Sequence, residues 1–169
     1  MNNAYIANSF RFLFLLLVQI LILNELELHG FIRPFIYPLF IFLLPIRLSH
    51  ALTLLIAFGY GLLLDVYDNT LGFHTAATVF VAYMRPYLFG LVRPRDGYDD
   101  IPSPVLPVIG FSWTILVLTI FTVLHHLLLF FIEAGGIMTF GQTFVKVLIN
   151  TLFSVSLMLL YQIVTKPSQ

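Results

Sequence analysis

The chain has 169 residues, 60% of them hydrophobic and only 9% charged, and its eight basic side chains balance its eight acidic ones. At a mean hydropathy of +0.99, most apolar surface has to face lipid or other buried helices, and each charge needs a local reason to be there. Scattered basic residues set aside nucleic-acid binding, the lack of cysteine excludes disulfides and thiolate metal sites, and no segment is polar enough to form a separate soluble domain.

Apolar length and Gly/Pro breaks divide the chain into six hydrophobic segments of one all-helical integral membrane domain covering residues 1–169. They lie at about residues 9–28, 34–48, 50–66, 71–92, 104–132 and 141–164. The first follows Arg11 and runs into Asn24, Glu25, Leu26 and Glu27 instead of a small-x-small cleavage site, so it is expected to remain as a transmembrane helix. The second and third are expected to be short, since roughly 15 residues at ~1.5 Å each cover about 22 Å of a ~30 Å hydrocarbon core. Pro34, Pro38 and Pro45 punctuate the second. That pair is therefore expected inside the bundle, where neighbours satisfy the freed backbone groups.

Residues 34–66 make either two short spans or one re-entrant hairpin. Arg47 favours two spans, because a cation at a loop tip near the bilayer centre costs about 2.5–3.5 kcal/mol on insertion scales. On that topology Arg11, Arg47, Arg93, Arg95 and Lys166 are cytoplasmic, Arg33 lies outside and Lys146 sits near the outer end of the sixth segment. Both termini are then expected in the cytoplasm.

Residues 59–85 set ionisable groups at the ends of apolar segments. Gly59 and Gly61, with Ala57 nearby, remove bulk over about one turn and invite close approach of a neighbouring helix. The third segment ends at Asp65, and Asp68, Asn69 and Thr70 are residue types that bond the free N–H groups opening the next helix. Gly72 is expected to keep that entry free of bulk. His74 and Arg85 lie eleven residues apart, which at about 100° per residue closes to within about 20° of three turns, so they share a face with Thr78 and Val81 or Ala82. Two readings stand for these charges. In one, Asp65 and Asp68 cap a helix start, His74 satisfies a backbone carbonyl and Arg85 snorkels to headgroups. In the other, they form a polar cluster facing the bundle interior or a partner. His74 can reach Asp65 or Asp68 across the turn, whereas Asp65 and Arg85 belong near opposite membrane faces.

The loop at residues 93–103 carries charges of both signs with Pro and Gly, and reads as a hydrated hinge or as a docking strip for a cytoplasmic partner. On the fifth segment, His126 and Glu133 share a helical face. Adjacent His125 and His126 point about 100° apart and do not chelate one ion from a regular helix, so no metal site is assigned and the pair is expected at the membrane interface. No phosphate loop or nucleophile elbow occurs, and Ser49, Ser103, Ser112, Ser154 and Ser156 have no evident base in the local sequence.

The run Leu43, Leu44, Pro45, then residues 57–65, which contain Gly59 and Gly61 and end in Asp65, then Leu71, Gly72, Phe73, His74, Thr75, Ala76, Ala77, and finally Ala82, Tyr83, Met84, Arg85, Pro86 resembles the signature of the rod shape-determining protein MreD family. The likeness covers roughly residues 38–90, while the remaining segments match only as generic apolar helices. It implies a non-enzymatic, cofactor-free protein of the bacterial inner membrane that pairs directly with MreC. It also implies a place in the cell-elongation complex of peptidoglycan synthesis, with MreB, RodA and its transpeptidase partner. That family is similar in fold to the six-helix S components of energy-coupling-factor vitamin transporters, which leaves binding of a small molecule or lipid headgroup near His74 as the alternative.

Overall fold

The computed structural model describes residues 2–26, 31–94, 97–99, 101–135 and 139–165, so Arg95 and Lys166 of the expected cytoplasmic set lie outside the described residues. Every regular element among them is a helix. α1 (Asn2–Val18) continues into a π-helical turn (Gln19–Leu23), and α2 (Pro38–Leu43), α3 (His50–Asp68), α4 (Phe73–Leu91), α5 (Leu106–Ile109), α6 (Phe111–Ala134) and α7 (Phe140–Val164) follow. Three of them, α3, α6 and α7, are long and apolar enough to cross a membrane.

The second segment departs most from its expected form. Residues 31–37 are not helical, and α2 has only 6 residues. Pro38 supplies a preset φ at the first helical position, and Leu44, forced extended (ψ 150°) by the proline that follows, ends the helix. Its companion α3 corrects the expectation in the other sense. Rather than stopping near residue 66, it runs for 19 residues, about 28 Å, because Tyr67 and Asp68 continue the helix until Asn69 adopts a left-handed cap at φ 53°. Ser49 opens α3 by accepting from the Leu52 N–H at 3.4 Å. Gly72 does not make room for a neighbour, since nothing lies within 4 Å of a Cβ placed there. It is instead at φ +90°, a conformation that costs other residues about 1–2 kcal/mol.

Residues 35–44 are all buried, and α2 packs against α1, α4 and α6. α3 pairs with α4, α4 with α6, and α6 with α7, so the broken segment lies at the centre of the bundle. The outward faces keep large apolar side chains exposed, among them Leu17, Leu55, Val66, Leu152 and Leu160. In a bundle with this composition that belt is the lipid-facing surface.

Candidate functional site: a polar network around a broken central segment

A non-helical backbone at the centre of an apolar bundle needs partners for its N–H and C=O groups. Four surrounding side chains supply them. Asn150 of α7 accepts from the Arg33 N–H at 2.6 Å and donates to the Phe31 carbonyl at 2.9 Å. Ser154, one turn on, accepts from the Phe35 N–H at 2.8 Å. Gln19 accepts from the Ile36 N–H at 2.9 Å, its inward position set where the π turn closes with the Asn24 N–H on the Gln19 carbonyl. At the other end of α2, Arg85 donates to the carbonyls of Phe42 (3.2 Å) and Leu44. Arg85 is 4% exposed, so it does not snorkel to headgroups. It faces inward because α2 leaves carbonyls there that no helix uses.

Asp65 closes the turn between α3 and α4. It accepts from the backbone N–H groups of His74 (3.0 Å) and Thr75 (2.8 Å) and from the hydroxyls of Thr70 and Thr75, both at 2.5 Å. The cap on α4 is thus Asp65 itself, while Asn69 sets the turn and Asp68 points elsewhere. Close approach of α3 and α4 rests on Gly61, where a Cβ would lie 2.5 Å from the Thr75 Cα and would also meet the Thr78 hydroxyl. Gly59 faces open space. Along α4 the buried set includes His74, Thr78, Val81, Ala82 and Arg85, the shared face expected from their spacing.

His74 does not satisfy a backbone carbonyl. Its Nε2 lies 3.1 Å from Asp68 and its Nδ1 2.9 Å from the Tyr37 hydroxyl, which is 2.7 Å from Nε2 of His125. Asp68 also accepts from Asn24 at 2.7 Å, and Asn24 from Gln19 at 2.8 Å. The proton positions follow from satisfaction. His125 Nδ1 is buried without a partner, and a bare N–H there costs more than a bare lone pair, so the proton belongs on Nε2. Tyr37 then accepts from His125 and donates to His74, whose remaining proton faces Asp68. The bonds from His125 through Tyr37 to His74 and those from Gln19 through Asn24 run in opposite senses and meet at Asp68, so that α6, the central segment, α4, the α3 terminus and the π turn are tied into one buried polar array that holds the core.

His125 and His126 are both fully buried, which corrects their expected interfacial position. They face inward because α6 packs α4 on one side and α7 on the other, and His126 meets the Thr151 hydroxyl of α7 at 3.0 Å. Glu133 stays exposed and pairs with Lys146 at 3.1 Å. In the 93–103 loop, Tyr98 donates to the Phe89 carbonyl at 2.8 Å, and burial raises its phenol above the ordinary value, so it remains a neutral donor at physiological pH. Pro45 and Pro86 flank the basic end of the bundle. Pro45 follows the end of α2 and Pro86 lies within α4.

An apolar groove of about 720 Å³ runs between α1 and α3 over α2, with Phe12 and Leu13 on one wall, Leu55, Gly59 and Leu63 on the other and Phe40 at the floor. The sequence did not reveal it.

Asp65, Asp68, Gly61, His74 and Arg85 all contribute to the interior, but in two clusters at opposite ends of α4. Gln19, Tyr37 and Asn150 were missed, although an isolated Gln or Asn in an apolar run is itself a sign of an internal bond. No protein-family model, curated protein or solved structure matches the chain.

Proposed function

We propose that the protein is a non-enzymatic scaffold of the bacterial cell-elongation complex, set in the inner membrane by six crossing segments, whose lateral groove receives the single membrane helix of MreC. The reading joins the resemblance of residues 38–90 to the MreD family with one observation, the groove over α2. Its walls are apolar and open, with Leu13 55% and Leu55 66% exposed, and Gly59 removes bulk where an incoming helix would make its closest approach. Lipid tails match such walls as well as a helix does, so selectivity for a partner has to come from shape. The rigid floor supplied by α2 provides that shape. Arg47 contacts the Asp99 carbonyl where the α2–α3 turn meets the 93–103 loop through the Ile46–Pro102 backbone bond, Arg93 shares a recess with Ile46 and Leu48, and Arg11 lies beside Leu43 and Val105. This supports cytoplasmic termini. Contacts to RodA, its transpeptidase partner and MreB follow from membership in that complex.

Co-purification of MreC with a Gly59→Leu variant tests the reading. A loss of about tenfold in recovered complex, with thermal stability unchanged, is expected. Undiminished recovery contradicts the groove as the MreC site.

The buried His125–Tyr37–His74–Asp68 chain favours a second reading, a membrane protein binding a small molecule or lipid headgroup in the manner of a vitamin-transporter S component. Under the scaffold reading, Tyr37→Phe leaves MreC recovery intact. Under the second, a ligand that co-purifies with the native chain is lost in the same variant.

A further inference from the structure

Among the described residues, Arg85 is a cation held by carbonyl dipoles and an aromatic face. Its Nε and one terminal nitrogen serve the Phe42 and Leu44 carbonyls, its guanidinium stacks 4.6 Å over the Phe89 ring, and among the described residues no carboxylate pairs with it. Placing a guanidinium in an apolar bundle without a counter-charge is costly. The remaining terminal nitrogen, Nη1, makes no hydrogen bond among the described residues.

That side chain lines a recess of about 280 Å³ whose other polar lining includes Arg93 and His50, with no acidic side chain among the described residues that line it. Ile46, Leu48 and Phe89 make its apolar wall. The volume lies at the small end of ligand pockets, which suits a headgroup better than an extended molecule. It lies toward the C-terminal end of α4, beside Arg93 and the 93–103 loop, and basic recesses between membrane helices take anionic headgroups. A guanidinium fork matches phosphate oxygens, and such a group supplies the counter-charge that no carboxylate among the described residues gives Arg85.

We infer that this recess is a binding site for a phosphate-bearing anion, delivered in the membrane by the headgroup of an anionic phospholipid whose first acyl carbons lie along Ile46 and Leu48. It adjoins the groove over α2 at Leu48, which lines both, shares no lining residue with the His74 network, and does not depend on a partner protein.

Native mass spectrometry of the full chain in detergent, titrated separately with phosphatidylglycerol, phosphatidylcholine and inorganic phosphate, tests the inference. One phosphatidylglycerol is expected to be retained well beyond phosphatidylcholine. The Arg93→Gln/His50→Gln variant, altering exposed side chains, is expected to weaken it by roughly tenfold or more, as loss of a charge-assisted contact does. Arg47→Gln, a basic residue at the same end but outside the recess, is the control and is expected to change nothing. Displacement of the lipid by millimolar phosphate, weakened by the same double variant, would keep the site and reassign its source to the free anion. Equal retention of both lipids, or equal effects of the Arg47 and Arg93/His50 substitutions, overturns the site. Arg85→Lys, which keeps the charge and loses the fork, is expected to fold with weakened binding, and unchanged binding in a folded Arg85→Lys protein also contradicts it.

Discussion

Gly59 and Gly61 lie two residues apart on α3 and meet different surroundings. Positions i and i+2 do not share a helix face, and the structure accordingly turns Gly61 onto α4 and Gly59 into the groove. Gly61→Ala is expected to lower stability in detergent by about 1–3 kcal/mol, because its Cβ would meet the backbone of Thr75, which cannot swing away as a side-chain tip can. Gly59→Ala is expected to leave the thermal midpoint unmoved. Asp65→Asn replaces an acceptor of four hydrogen bonds by a group that turns an NH2 toward two of the donors, and a loss of about 1–3 kcal/mol is expected by the same measurement. At this scale the sequence was informative about residue types and less so about roles. The spacing of His74 and Arg85 gave their common face, but which groups they meet depends on residues 35–44, far away in the chain.

Among the elements, the second segment determines the others. Its prolines forecast an irregular backbone within the bundle, and residues 31–37 are indeed non-helical and tied by Asn150, Ser154 and Gln19. α3 runs past Asp65, the boundary its charge suggests, because that carboxylate reaches forward to the next helix. Nothing local reveals that reach. Gln19→Leu and Asn150→Leu are each expected to cost about 1–3 kcal/mol by leaving buried backbone groups without partners, and the double variant is expected to deviate from additivity by more than about 0.5 kcal/mol because both act on residues 31–36. In inside-out membrane vesicles, cysteine placed at Leu39 or Ile41, fully buried positions, is expected to resist a membrane-impermeant maleimide, while cysteine at the exposed Arg47 reacts. The native chain has no cysteine to interfere.

For the molecule as a whole, the helical class and a membrane setting were legible from composition, because an unbroken apolar majority leaves few other solutions. The groove was not legible, since lipid-facing and partner-facing apolar residues read alike. The interior network was legible only in part, because its centre, Tyr37, looks like one aromatic among many. The central claim is that a rigid bundle built around a broken segment offers its groove to one partner helix. The measurement that tests it most directly is disulfide cross-linking in membranes between MreC carrying cysteine in its membrane helix and this chain carrying cysteine at Leu55 or Leu63 on the groove wall, with Leu152 on the exposed face of α7 as the control. Cross-links are expected from Leu55 and Leu63 and none from Leu152. Cross-links confined to Leu152 would contradict it.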